Sequence, residues 1–210
     1  MAKTLMIVLI LLSILQFSMQ YNCPGVNVIT RAQWGARRAR RYSTLATPVP
    51  YVFIHHSAGP QCQQTDSCKR IVRAIQAYHM DVRKWDDIGY NFLVGGDGNA
   101  YEGRGWGRVG AQCKGFNSRS LGICFVGNFM NSLPTASAQR AASNLMMCFS
   151  RYAKVTTNYS LYGHRDAGQT LCPGNALYNR IRTWPHYNRN PPRTDRKQLY
   201  FKNETPKDKL

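Results

Sequence analysis

Three side chains that suit zinc lie far apart in the chain: His55, His164 and Cys172. Two imidazoles and one thiolate fill three corners of a tetrahedral zinc site and leave the fourth corner open for water. An open corner is typical of a catalytic zinc site rather than a structural one. The residue types therefore predict metal-assisted hydrolysis with Zn²⁺ as the cofactor. Tyr90 lies in a loop-and-strand context that would bring it beside these ligands.

Each of these ligands is weak evidence when taken singly, because a lone histidine in an apolar strand is more often a core residue. The local context of His164 and Cys172 adds more. His164 follows Gly163 at a strand end, and Cys172 comes eight residues later in a turn before a helix. Both side chains can therefore reach one point across a loop, and Thr170 would then lie close to the metal.

The strand that must position His55 is Tyr51 to His55, which is rich in β-forming residues and follows Pro48 and Pro50. His56 should point to the opposite face, because successive side chains of a strand alternate. His79 lies near the end of the helix that follows, and we expect it to be a packed or capping histidine rather than a ligand.

Hydrophobic periodicity and turn residues predict the remaining elements. Helices are expected from Cys68 to about Lys84, from Thr135 to about Tyr152, and from just after Gly174 to about Trp184. Strands are expected at 90–94 and 100–102, which form a hairpin, and at 121–126 and 161–164. This pattern predicts a single α/β domain with a mixed central β-sheet and about three flanking helices.

The two ends of the chain differ from this domain. Residues 1–20 resemble a signal peptide, with a positive Lys3 before an apolar run too short to span a bilayer. The prediction is a secreted protein without a membrane span, whose domain covers residues 21–187. Residues 188–210 are polar and basic, and we expect them to be disordered.

Seven cysteines, all after residue 20, fit an oxidising compartment. Cys62 and Cys68 are the most natural disulfide by proximity. The odd count suits a protein that uses one thiolate for a metal, and a free buried cysteine explains it equally well.

The formal net charge is +18, one less once the leader with Lys3 is removed. Such a charge predicts attraction to anionic polymers or cell surfaces. Four of the five residues in Arg37–Arg41 are arginine, and a solvated basic loop is an equally good interpretation of this cluster. No helix-turn-helix, zinc-finger or aromatic single-strand motif accompanies the charge, so no specific nucleic-acid partner is expected.

Six ordered blocks of sequence resemble the peptidoglycan recognition proteins, a family similar to the zinc amidases of bacteriophage. The blocks are Ile54-His55-His56-Ser57-Ala58, Asp87-Ile88-Gly89-Tyr90-Asn91-Phe92, Tyr101-Glu102-Gly103-Arg104-Gly105-Trp106, Asn117-Ser118-Arg119-Ser120-Leu121-Gly122-Ile123, Gly163-His164-Arg165-Asp166 and Cys172-Pro173-Gly174. The resemblance runs from about Val26 to Tyr187. It implies a mixed sheet with packed helices and a groove for the peptide stem and MurNAc of the bacterial cell wall.

In catalytic members of that family, zinc hydrolyses the amide between MurNAc and L-alanine. By resemblance, His55, His164 and Cys172 match the zinc ligands. Tyr90 matches the tyrosine that assists the zinc-bound water, and Thr170 matches a residue near the scissile carbonyl. Many relatives that bind cell wall without cutting it have serine in place of the cysteine, whereas this chain keeps the thiol.

The resemblance therefore implies a zinc-dependent N-acetylmuramoyl-L-alanine amidase of innate immunity, whose partners are muramyl peptides and, in addition, anionic wall polymers. The alternatives are a non-catalytic or bactericidal peptidoglycan-binding protein and a generic cationic antimicrobial. The resemblance also implies the disulfides Cys62–Cys68 and Cys23–Cys148 and leaves Cys113 and Cys124 without an assigned partner. The pair Gly107-Arg108 favours diaminopimelate-type stems without deciding the subtype.

Overall fold

The computed structural model describes residues 22–190 of the chain. The predicted signal peptide and almost all of the predicted basic tail lie outside the described residues. Asn188, the first residue assigned to that tail, donates from its backbone N–H to the Leu161 carbonyl at 3.2 Å. Within residues 22–190, no helix is both long enough and apolar enough to cross a membrane.

Six strands form one mixed sheet. They are β1 (Val28–Ile29), β2 (Val49–His56), β3 (Phe92–Val94), β4 (Ala100–Glu102), β5 (Ser120–Phe125) and β6 (Val155–Gly163). The order across the sheet is β1-β4-β3-β5-β2-β6, and every neighbouring pair is parallel except the β3–β4 hairpin. The predicted mixed sheet and hairpin are therefore confirmed.

Four α-helices accompany the sheet in the described residues, one more than the three expected. They are α1 (Arg31–Trp34), α2 (Thr65–Ala77), α3 (Ala136–Arg151) and α4 (Asn175–Ile181). The helix predicted to reach Lys84 ends as a π-helical turn over Tyr78–Val82. The helix predicted to reach Trp184 ends three residues earlier. The strand predicted over 161–164 begins at Val155, which pairs with Val49 of β2, and pairing with β2 resumes at Ser160 after a register shift.

The helices cover both faces of the sheet. Buried side chains of α3 and α4 pack with Val52 and Ile54 of β2 in the largest apolar cluster. Residues of α1 and α2, including Trp34 and Val72, form a second cluster on β3 and β5. Phe53 packs instead with Phe116 and Tyr162. Since side chains alternate along a strand, His55 shares the face of Phe53 and His56 shares the face of Ile54, as predicted.

Two disulfides fasten the periphery of this fold. Cys23–Cys148 ties the N-terminal segment to α3, and Cys62–Cys68 closes a short loop that leads into α2. Both pairings agree with the expectation. Cys113 and Cys124 are buried free thiols, and Cys172 is a partly buried free thiol. The metal-ligand candidate is therefore not consumed by a disulfide.

Candidate metal centre

His55 and His164 are brought together by two neighbouring parallel strands. In the register of β2 and β6, Ile54 lies opposite Gly163, so the residue that follows each of them lies at the same edge of the sheet. His164 opens a short 3₁₀ turn over His164–Asp166. The centroids of the two imidazole rings are 4.7 Å apart. Parallel pairing thus joins two residues that are more than a hundred positions apart in sequence.

The His164 turn is held by Asp166. One carboxylate oxygen of Asp166 accepts from the Gly163 N–H at 2.8 Å, and the other accepts from the Tyr178 hydroxyl at 2.6 Å. The turn is therefore fixed to both the end of β6 and helix α4. This arrangement sets the direction in which the His164 side chain leaves the strand.

Cys172 reaches the same point from the loop before α4. Its Sγ lies 3.7 Å from His55 Nδ1 and accepts from the His56 N–H at 3.4 Å. The Cys172 carbonyl accepts from the Arg165 N–H at 3.0 Å, which folds the loop back onto the His164 turn. The Arg165 guanidinium also donates to the Leu171 carbonyl. The loop is therefore fastened on both sides of the sulfur.

Together, His55, His164 and Cys172 offer three ligand atoms that all lie within 4.8 Å of one another. A tetrahedral zinc ion with ordinary Zn–N and Zn–S bonds holds such atoms about 3.5 Å apart. The 3.7 Å between Cys172 Sγ and His55 Nδ1 is close to that value. The nitrogen and sulfur donors also match the preference of zinc, so the residues fit the predicted ion.

Burial favours the uncharged forms of all three candidate ligands. Burial, with the neighbouring His164, lowers the pKa of His55 well below its usual value, and burial lowers the pKa of His164 as well. Burial raises the pKa of the Cys172 thiol to about 12, against the opposing effects of the His56 N–H and Arg165. Both imidazoles are thus neutral and available to a cation, and the thiol would release its proton on binding one.

Tyr90 lies beside this group, just before β3, with its ring centroid 5.3 Å from that of His55. Its backbone carbonyl accepts from the Arg104 N–H at 3.0 Å. Burial raises the pKa of Tyr90 well above its usual value, and Cys124 and Cys172 act in the same direction. The phenol therefore keeps its proton and can act as a hydrogen-bond donor.

Thr170 is close to the group through the backbone of Cys172. Its Oγ1 accepts from the Cys172 N–H at 3.1 Å, and its side chain is partly exposed. The structure thus brings His55, His164, Cys172 and Tyr90 together and places Thr170 in the loop that carries Cys172. His56 and His79 are occupied elsewhere: His56 Nδ1 accepts from the Phe129 N–H, and His79 Nδ1 accepts from the Gly89 N–H.

Sequence reasoning missed Gln112, which is buried and hydrogen-bonded through its Oε1 to His55 Nε2. A neutral amide in a loop belongs to no ligand or catalytic motif. Its only sequence signal is a position shortly before the Asn117–Ile123 block, and that signal does not indicate which side chain it would meet.

Comparisons with known proteins agree with this geometry. A family model described as N-acetylmuramoyl-L-alanine amidase matches residues 45–175. Peptidoglycan-recognition protein SC2 of Drosophila melanogaster is 45% identical over 163 residues, which cover 78% of this chain and 89% of that protein. The N-acetylmuramoyl-L-alanine amidase of Mus musculus is 45% identical over 169 residues, covering 79% of this chain and 32% of that protein.

A solved structure of human PGRP-IBETAC in complex with glycosamyl muramyl pentapeptide is similar as well. It superposes with a TM-score of 0.76 at 44% identity, covering 79% of this chain and 99% of that one. Both the sequence and the fold thus lead to one assignment: the chain belongs to the peptidoglycan recognition protein family, and its domain is of the amidase type that the family model describes.

Proposed function

We propose that this protein is a secreted, zinc-dependent N-acetylmuramoyl-L-alanine amidase that binds bacterial peptidoglycan and acts in innate immunity. The observation that carries the proposal is the convergence of His55, His164 and a free Cys172 within 4.8 Å. The amidase name of the mouse relative and the muramyl pentapeptide bound to the human neighbour support the same substrate class.

In the proposed reaction, water adds its hydroxyl to the lactyl carbonyl carbon of MurNAc, the bond to the alanine nitrogen breaks, and the nitrogen gains a proton. His55, His164 and Cys172 would hold Zn²⁺, which when bound supplies Lewis acidity for amide hydrolysis. Tyr90 keeps its phenol proton and donates to the oxygen that gains negative charge. Thr170 accepts from the Cys172 N–H, so its own hydroxyl proton is free to meet the substrate.

The experiment uses the chain without residues 1–20, a muramyl dipeptide or tripeptide, and mass spectrometry of the released peptide. We expect release with zinc and none with a chelator. Cys172→Ser should abolish hydrolysis while retaining peptide binding, because a serine hydroxyl stays protonated where a thiol ionises. Cys113→Ala removes a buried thiol outside the ligand group and should keep activity. Normal hydrolysis by Cys172→Ser would refute the proposal.

A non-catalytic recognition protein is the second candidate, favoured by the recognition-protein names of the relatives. It predicts that the unmodified chain binds muramyl peptides and releases no peptide at any zinc concentration. The same assay therefore separates the two functions.

A further inference from the structure

We propose that Gln112 is a positioning residue of the metal centre, whose side-chain amide holds the His55 ring in the orientation and tautomer that present Nδ1 to the metal. The proposal rests on the proposed zinc-dependent function. Its test below does not require hydrolysis.

The two nitrogens of His55 face different partners. Nε2 is hydrogen-bonded to Gln112 Oε1, and Nδ1 points to Cys172 Sγ at 3.7 Å. A neutral imidazole carries one proton, and an amide oxygen can only accept. The proton must therefore be on Nε2, which leaves the lone pair of Nδ1 free to coordinate a metal.

The direction of the Gln112 amide is itself determined by its surroundings. Ser120 Oγ donates to the Phe116 carbonyl at 2.7 Å, so it has lone pairs left to accept from Gln112 Nε2 at 2.8 Å. With its nitrogen committed to Ser120, the amide turns its oxygen to His55. A flipped amide would turn its Oε1 towards Ser120 Oγ, whose proton is already donated to the Phe116 carbonyl, so two acceptors would face each other there.

The backbone and the sheet fix the position of Gln112. Asn117 Oδ1 accepts from the backbone N–H groups of both Gln112 and Cys113, at 2.8 and 2.9 Å. The Gln112 side chain lies directly over Gly122 of β5, where a Cβ would approach it to 2.7 Å. Gly122 therefore leaves the space that the amide occupies between the strand and His55.

Residues that orient a metal ligand typically change metal affinity 10–100-fold when they are replaced. Gln112→Met keeps the length of the side chain and removes the acceptor, so we expect zinc to bind about 10–100-fold more weakly. Gln112→Glu keeps an acceptor towards His55 Nε2 and should bind zinc at least as tightly as the unmodified protein. Gln139→Met, on α3 away from the centre, is the matched control and should bind normally.

Zinc affinity is measured by competition with a chromophoric chelator, after metal-free thermal unfolding has shown that each variant is folded. In parallel, long-range ¹⁵N–¹H correlation spectra of the metal-free proteins report the His55 tautomer. We expect the Nε2-protonated form in the unmodified protein and a mixture of tautomers in Gln112→Met.

Unchanged zinc affinity in folded Gln112→Met, or an equal loss in Gln112→Glu and Gln112→Met, would overturn the proposal. A protonated Nδ1 in the unmodified protein would overturn it even if no zinc were bound. By contrast, tight zinc binding without hydrolysis would refute the proposed function and leave the role of Gln112 intact.

Discussion

Tyr90 lies beside the three ligand candidates without belonging to them, so its contribution can be separated from metal binding. Tyr90→Phe removes the phenol proton and keeps the ring that packs against His55. Loss of one donor to a developing negative charge typically lowers kcat about a hundredfold or more. We therefore expect that fall in the hydrolysis rate, with zinc affinity and muramyl peptide binding unchanged.

Steady-state kinetics and zinc competition on the same preparations check this prediction. Tyr78→Phe, at an exposed position, is the control and should behave like the unmodified chain. A normal hydrolysis rate in Tyr90→Phe would show that the Tyr90 hydroxyl has no catalytic role and that the ring only lines the groove.

Residue types and family resemblance led to His55, His164 and Cys172, because an imidazole or a thiol is a metal-ligand candidate wherever it occurs in a sequence. The structure agrees that the three converge, and their role as zinc ligands stays a prediction. Gln112 could not be found in this way. Its importance comes from two specific hydrogen bonds, to His55 and Ser120, which exist only once β2, β5 and the segment that joins β4 to β5 are folded.

At the scale of elements, local signals predicted the long helices and the hairpin well. Thr135 begins the third helix as expected, since its side chain accepts from the Ala138 N–H. The short helix α1 was missed, although Thr30 and Gln33 form a capping box that the sequence displays. The start of β6 was missed because Val155 precedes polar residues, and its pairing with the distant β2 decides the strand.

We expect the π-helical turn after α2 to make the stability of the fold sensitive to acid, because it carries His79. This side chain is buried, stacks on Trp85 and accepts from the Gly89 N–H. Burial, with Arg104 and Arg83, lowers the pKa of His79 to about 4, below the unfolded value of about 6.5. Between about pH 4 and 6.5, His79 therefore carries a second ring proton in the unfolded chain but not in the folded one. The contribution of His79 to stability is complete above about pH 6.5 and is lost as the pH falls towards 4, by up to about 3 kcal/mol.

His79→Asn tests this linkage, because its side-chain oxygen can still accept from the Gly89 N–H but does not titrate. The free energy of unfolding is measured in urea from pH 4.5 to 7.5, with a chelator present in all samples. We expect the variant to be less stable at neutral pH and to lose less stability on acidification. Parallel pH profiles for the two proteins would show that His79 is not responsible.

At the scale of the whole molecule, the strand order joins segments that are distant in sequence, which is why the sequence predicted a mixed sheet but not its arrangement. The distribution of charge was also only partly foreseen. The basic cluster Arg37–Arg41 is largely exposed, as expected, but Asp81 and Asp86 pair with three of its arginines. Residues 38–42 nevertheless line an open cavity of about 620 Å³, and the Arg108 guanidinium stacks on the exposed Tyr42.

If this cluster binds anionic wall polymers, removing its charges must weaken polymer binding more than removing the same number of charges elsewhere on the surface. Glutamine at the four arginines of Arg37–Arg41 should weaken binding to purified teichoic acid about tenfold at low salt, with little difference at high salt, where exposed charges are screened. Hydrolysis of a small muramyl peptide should be unchanged. The control carries the same charge change at four scattered, exposed arginines: Arg140, Arg151, Arg182 and Arg189. Binding is measured by cosedimentation across a salt series. An equal loss of polymer affinity in the two variants would show that the cluster is a solvated basic loop and not a binding site.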